Sequence, residues 1–242
     1  MLLNIYKDYN TLASQAANEI IVVIKNKPDA VLCLAAGETP RLTYALMANQ
    51  AIDDSVDFSR CTFIGLDEWV NIPPDNEGSC HFFLEKNIFK PLHILNSQIH
   101  LFDALAKDLE AECRKMDAMI LANGGIDLML VGVGMNGHIG FNEPGVSDNL
   151  YSHVIALDTT TQSVGQKYFR QSTKLQSGIT LGLKHFMESR KAIMLASGKK
   201  KSLVIRKALE DAITTDMPAS MIRKHANGVV MLDEEAAALL KE

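Results

Sequence analysis

Ile126-Asp127-Leu128-Met129-Leu130-Val131-Gly132 is a short apolar run, and the glycine-rich segment Gly134-Met135-Asn136-Gly137-His138-Ile139-Gly140-Phe141-Asn142-Glu143-Pro144-Gly145 follows it. A continuous apolar run of this length reads as a buried strand of a parallel sheet, so the glycine-rich segment leaves that strand at its carboxyl end. Open α/β sheets bind ligands there. The segment sets a histidine and a carboxylate five residues apart and reads as a catalytic loop.

Outward from this strand, short apolar runs alternate with longer amphipathic ones. A helix over 9–25 precedes a strand over 31–35, and Thr39-Pro40 starts a second helix with Thr39 as its cap. A strand over 61–67 leads through a polar, proline-bearing stretch to a helix over 81–89. A helix over 104–122 precedes the central strand. Beyond it come a strand over 191–196, a helix over 202–209, a strand over 228–233 and a closing helix over 234–240. This succession predicts a doubly wound, mostly parallel α/β sheet with helices on both faces, a Rossmann-like arrangement. With no break in composition, residues 1–242 read as a single domain.

Hydrophobic residues make up 47% of the chain and charged ones 22%, as in a folded protein, and the net charge of -5 leaves no basic footprint for nucleic acid. Taken alone, Lys199-Lys200-Lys201 is a short cationic cluster of the kind usually found on solvated surface. Cys33, Cys61, Cys80 and Cys113 lie far apart with no paired spacing, which predicts reduced, buried residues rather than zinc ligands or disulfides. No window approaches a membrane span and no basic segment precedes an apolar one, so the expected compartment is the cytoplasm, with no membrane partner. A homo-oligomer remains open.

Three strand ends can converge on one crevice. Ala35-Ala36-Gly37-Glu38-Thr39-Pro40 is a strand-to-helix turn whose free amides suit a phosphate, although the same hexapeptide also serves as an ordinary turn. Glu38 must turn its carboxylate away if an anion binds there. In Leu66-Asp67-Glu68-Trp69-Val70 two acids point in opposite directions, so one faces the crevice as a possible base and the other is structural. In the glycine-rich segment, Gly132-Val133-Gly134-Met135-Asn136-Gly137 fits the G-x-G-x-x-G spacing, but His138 and Pro144 follow where a dinucleotide fold needs a long helix. A histidine titrates near neutrality, and Glu143 can orient His138 or exchange a proton with it.

These stretches, together with Ser197-Gly198-Lys199-Lys200-Lys201, resemble the glucosamine-6-phosphate and galactosamine-6-phosphate deaminase/isomerase family over essentially the whole chain. The related 6-phosphogluconolactonases share a Gly-His core but lack the Phe141-Asn142-Glu143-Pro144 continuation. Residues 27–35 and 178–183, with Trp69 where glucosamine enzymes usually carry tyrosine, place the resemblance closest to galactosamine-6-phosphate isomerases. It implies a metal-free and cofactor-free conversion of a hexosamine 6-phosphate to a ketose phosphate and ammonia, with galactosamine 6-phosphate as first expectation and glucosamine 6-phosphate as alternative.

In that reading His138 assists ring opening, Glu143 supports it, and Asp67 moves a proton from C2 to C1. Gly37, Glu38, Thr39 and Lys201 surround the 6-phosphate, and Lys167 is the basic residue of a mobile lid. Asn136 stands where many members place an aspartate that positions the histidine. Glu38 replaces a small residue and Lys167 an arginine. The C-terminal extension of allosteric hexameric members has no match, so activation by an amino-sugar phosphate is not expected. Two other readings compete: a lactonase acting on a phosphorylated sugar acid, and a non-catalytic sugar-phosphate sensor.

Overall fold

Strand side chains alternate between faces, and in this chain both faces are buried. The structure, a computed structural model, describes residues 1–241. Its first half runs β1 (Leu2–Tyr6), α1 (Tyr9–Asn26), β2 (Val31–Leu34), α2 (Glu38–Asp53), β3 (Thr62–Gly65), β4 (Asp67–Trp69), α3 (Cys80–Leu84), β5 (Ile99–His100) and α4 (Leu109–Ala122). The second half runs β6 (Leu128–Gly132), β7 (His153–Ala156), α5 (Thr159–Gly165), β8 (Ser177–Thr180), α6 (Leu183–Glu188), β9 (Ala192–Ala196), α7 (Ser202–Glu210), β10 (Gly228–Asp233) and α8 (Glu234–Ala237).

Seven strands form one parallel sheet in the order β1-β10-β9-β6-β2-β3-β5. Leu32, Leu34, Leu128 and Leu130 face a core built with α1, α2 and α3, while Val31, Cys33, Met129 and Val131 face a second core built with α4, α6 and α7. The expected doubly wound sheet with helices on both faces is therefore present. From β2 the chain proceeds outward to β3 and β5, then returns to place β6 on the other side of β2. The order reverses between β2 and β6, and the crevice at such a reversal is the usual ligand site of an open α/β sheet.

The structure corrects the sequence reading in several places. The strand expected over 61–67 stops at Gly65, and Asp67–Trp69 leaves the main sheet to pair antiparallel with β8 in a separate sheet ordered β4-β8-β7. This second sheet was not anticipated, and neither was the edge strand β1. Thr39 is not the cap of α2: the helix begins at Glu38 behind Gly37, whose φ of 122° suits glycine. Asp108 caps α4 through the Ala111 amide, so that helix starts five residues later than expected. All four cysteines are free and buried. Among the described residues, no helix is long and apolar enough to cross a membrane.

Asp127 ties the opposite rim of the sheet together. Its buried carboxylate accepts from the Val31 amide at 2.8 Å and Lys27 Nζ at 2.6 Å, and it pairs with Arg190. Asp127→Ala should cost about 1–3 kcal/mol, chiefly by leaving the buried Val31 amide without its acceptor, since Lys27 and Arg190 keep access to solvent. Thermal unfolding would show it as a Tm fall of several degrees.

Candidate active site

A cavity of about 330 Å³ opens at the β2/β6 reversal, lined by the segments that follow β2, β3, β6 and β9 and roofed by α5 and the turn after it. Of the residues singled out in the sequence, Gly37, Glu38, Thr39, Asp67, His138, Lys167 and Lys201 line it. Asn136 and Glu143 do not. They stand behind His138.

At the end of β2, the buried Tyr44 hydroxyl donates to the Ala35 carbonyl at 2.6 Å and fixes the turn from below. Gly37 caps α2 without a side-chain hydrogen bond, which leaves first-turn amides available to an anion. Glu38 resolves its own conflict: its carboxylate turns to Arg41 one helical turn on, at 2.7 and 3.1 Å. Lys201 comes from the turn after β9 and its ammonium donates to the Val133 carbonyl. Burial, assisted by Lys167, lowers its pKa to about 8. A lysine held this way gains most by meeting a phosphate.

The bend out of the main sheet separates the two acids. Glu68 is buried and structural: it accepts from the Trp69, Cys80 and His81 amides at 2.9, 3.0 and 2.8 Å and from the Ser79 hydroxyl at 2.8 Å. Asp67 takes the other face and lines the cavity. Burial first, then the neighbouring Glu68, raises its pKa to about 7, opposed by a bond from the Cys80 thiol. A carboxylate poised there accepts and returns protons near neutrality.

His138 lies flat against Gly134, where an added Cβ would stand 2.4 Å from the ring. Only glycine fits beneath it. Its Nδ1 is 3.0 Å from Thr161 Oγ1 and 3.4 Å from Glu143 Oε2. Burial pushes the Glu143 pKa up, but bonds with His138, Thr161 and Asn136 outweigh it and hold the carboxyl below its usual range. Asn136 makes no hydrogen bond to the imidazole, the role an aspartate in its place was expected to fill. Its amide donates to Glu143 Oε2 at 2.8 Å and its oxygen accepts from the His138 backbone N–H at 3.2 Å. Asn142 pins the loop by donating to the Ile139 and Leu181 carbonyls at 2.9 and 2.8 Å.

Thr161 escaped the sequence reading, although Asp158-Thr159-Thr160-Thr161 is a recognisable helix start. Asp158 does cap α5, accepting from the Thr160 amide at 2.8 Å. Trp69 is packed rather than polar in its role, with its ring 4.5 Å from Phe141 and 6.1 Å from Phe169. No group of three or more His, Cys, Asp or Glu side chains that could hold a metal ion occurs among the described residues.

The arrangement thus brings the free helix-start amides of the Gly37 turn and the Lys201 ammonium onto one cavity with the Asp67 carboxyl and the His138 imidazole. Residues 7–231 match the family described as glucosamine-6-phosphate isomerases/6-phosphogluconolactonase. The glucosamine-6-phosphate deaminase of Thermoanaerobacter pseudethanolicus is 36% identical over 236 residues, covering 97% of this chain and 93% of the relative. That of Clostridium perfringens is 36% identical over 242 residues and covers both chains fully. A solved monomeric glucosamine-6-phosphate deaminase superposes with a TM-score of 0.95 at 35% identity, covering 99% of this chain and 100% of that one. The 6-phosphogluconolactonase of Trypanosoma brucei, at 19% identity and a TM-score of 0.79 over 99% of this chain and 98% of its own, shares the fold.

Proposed function

The chain belongs to the glucosamine-6-phosphate isomerase/6-phosphogluconolactonase family, and from that premise we propose that residues 1–242 act as one domain that converts glucosamine 6-phosphate and water to fructose 6-phosphate and ammonia. The observation that carries this reading is the half-buried Asp67 carboxyl, which shares one cavity with His138, Lys201 and the Gly37 turn and whose pKa is raised to about 7. Lactone hydrolysis needs a histidine and a water but no second proton-transfer carboxylate beside the sugar. Relatives of similar length carry the glucosamine name. The preference for galactosamine 6-phosphate rested partly on Trp69, whose indole packs against aromatic rings and offers no ground for choosing a C4 hydroxyl.

The Gly37 turn, the Thr39 hydroxyl and Lys201 hold the 6-phosphate, with Lys167 above them. His138 returns a proton to the ring oxygen as the sugar opens, while Thr161 and Glu143 fix its ring and Asn136 fixes Glu143. Asp67 removes the C2 proton, giving an enolamine. Returning that proton to C1 leaves the 2-imine of the ketose, to which water adds before ammonia departs. Fixing the phosphate end sets C2 against Asp67, which converts binding into alignment.

Two ionisations should bound the pH profile of kcat/KM, which reports the free enzyme. Asp67 acts as a carboxylate, so the rate rises through about 7. Lys201 binds phosphate as an ammonium, so the rate falls above about 8. Lys201→Arg should move the basic limb upward and leave the acidic limb in place.

Competition between the two epimers tests the substrate assignment, because specificity is a ratio of kcat/KM values. Glucosamine 6-phosphate should win. A higher kcat/KM for galactosamine 6-phosphate would reverse the assignment.

A further inference from the structure

The roof of the cavity is fastened on both sides of one tyrosine. After α5 the chain makes a tight turn over Gln166–Tyr168. Phe169 packs so closely on Gly78 that a Cβ there would stand 2.4 Å from its ring, and Arg170 forks onto Glu77 at 2.8 and 2.6 Å. These anchors drive Tyr168 inward. Its hydroxyl comes within 3.7 Å of where a Cβ on Gly37 would stand, directly over the turn with the free amides. Tyr168 lines the cavity, and its hydroxyl makes no hydrogen bond within the protein among the described residues.

We propose that Tyr168 is a phosphate-binding residue of this site, its hydroxyl donating a hydrogen bond to the 6-phosphate of the sugar held on the Gly37 turn. The inference rests on the sugar-phosphate reading above and adds a residue to it. The half-buried ring packs against the cluster of Trp69, Phe141 and Leu175, while the hydroxyl faces a turn whose first-turn amides are themselves donors, so an anion held by those amides supplies its acceptor. The proton needed for donation is retained. Burial, with the Cys80, Glu38 and Asp67 groups nearby, pushes the phenol up to about 12. Lys167 Nζ lies 4.8 Å from the centre of the Tyr168 ring, so the same turn presents a cation beside the donor. The roof therefore brings both to the phosphate end.

Tyr168→Phe keeps the ring and removes only the donor. The variant should raise KM for glucosamine 6-phosphate by roughly 10-fold, the size of one charge-assisted hydrogen bond, with kcat changed less than about twofold. Stabilisation by inorganic phosphate in thermal unfolding should weaken by a similar factor, while the unliganded Tm stays put. A merely structural tyrosine would lower the unliganded Tm and leave phosphate affinity alone. Unchanged KM and phosphate affinity in a variant that still turns over would overturn the inference while leaving the proposed reaction standing. So would a shifted acidic limb of the pH profile with KM intact, which would place the hydroxyl on Asp67. If the unaltered protein releases no ammonia from glucosamine 6-phosphate, the reaction assignment fails instead, and the inorganic phosphate comparison still decides Tyr168.

Discussion

Asp67→Asn is expected to lower kcat on glucosamine 6-phosphate by roughly 10²–10⁴-fold with little change in KM, because the amide fills the same space but cannot accept the C2 proton. The same substitution should stabilise the protein at alkaline pH. The carboxyl has a pKa of about 7 in the fold, against about 3.9 in an unfolded chain. A group raised in this way contributes its full stability below the unfolded value and loses it as the pH rises through the folded one. Asparagine carries no such penalty. Thermal unfolding should therefore place the variant above the unaltered protein at pH 8, with the two converging toward about pH 4. Retained turnover would remove Asp67 as the base, and equal melting at pH 8 would remove the raised pKa of its carboxyl.

His138→Gln is the second large effect, a fall in kcat/KM of roughly 10²–10⁴-fold, since ring opening then lacks its proton donor. Glutamine reaches Thr161 and Glu143 without exchanging protons near neutrality. Stabilisation by inorganic phosphate should survive, because Lys201 and the Gly37 turn lie on other elements of the cavity wall. Glu143→Gln acts one step removed, through the 3.4 Å contact with the imidazole, and should cost less. If Glu143→Gln proves as damaging as His138→Gln, the carboxylate itself takes part in proton transfer. A variant at His138 with normal kcat/KM would dismiss the ring-opening role.

Much of this site is visible in the chain because its chemistry is local. The run 128–131 is uniformly apolar, as a strand buried on both faces requires, and β6 lies at the centre of the sheet with its loop on the cavity. Gly134 and His138 are close in sequence and remain stacked in space. The opposed directions of Asp67 and Glu68 follow from strand alternation alone, which is why one acid could be expected to be structural.

The rest depends on contacts that periodicity does not encode. Residues 177–180 and 153–156 are short stretches that form strands by long-range pairing, the first with Asp67–Trp69 and the second with the first. Without that partner, 61–67 reads as one continuous strand and the bend that frees Asp67 is hidden. Thr161 and Tyr168 lie in the segment between those unseen strands, so neither could be placed near His138 or Gly37. Asn136 shows the limit of carrying a role across by position. It occupies the expected place, yet its side chain serves Glu143 and the backbone rather than the imidazole.

The central claim is that the Asp67 carboxyl and His138 act on an amino sugar whose phosphate is held by Lys201 and the Gly37 turn. The most direct test follows ammonia and ketose phosphate together when the protein meets glucosamine 6-phosphate, beside a parallel run with 6-phosphogluconolactone. Ammonia and fructose 6-phosphate appearing in equal amounts, with lactone loss no faster than its spontaneous rate, is the predicted result. Rapid lactone hydrolysis without ammonia release would contradict it.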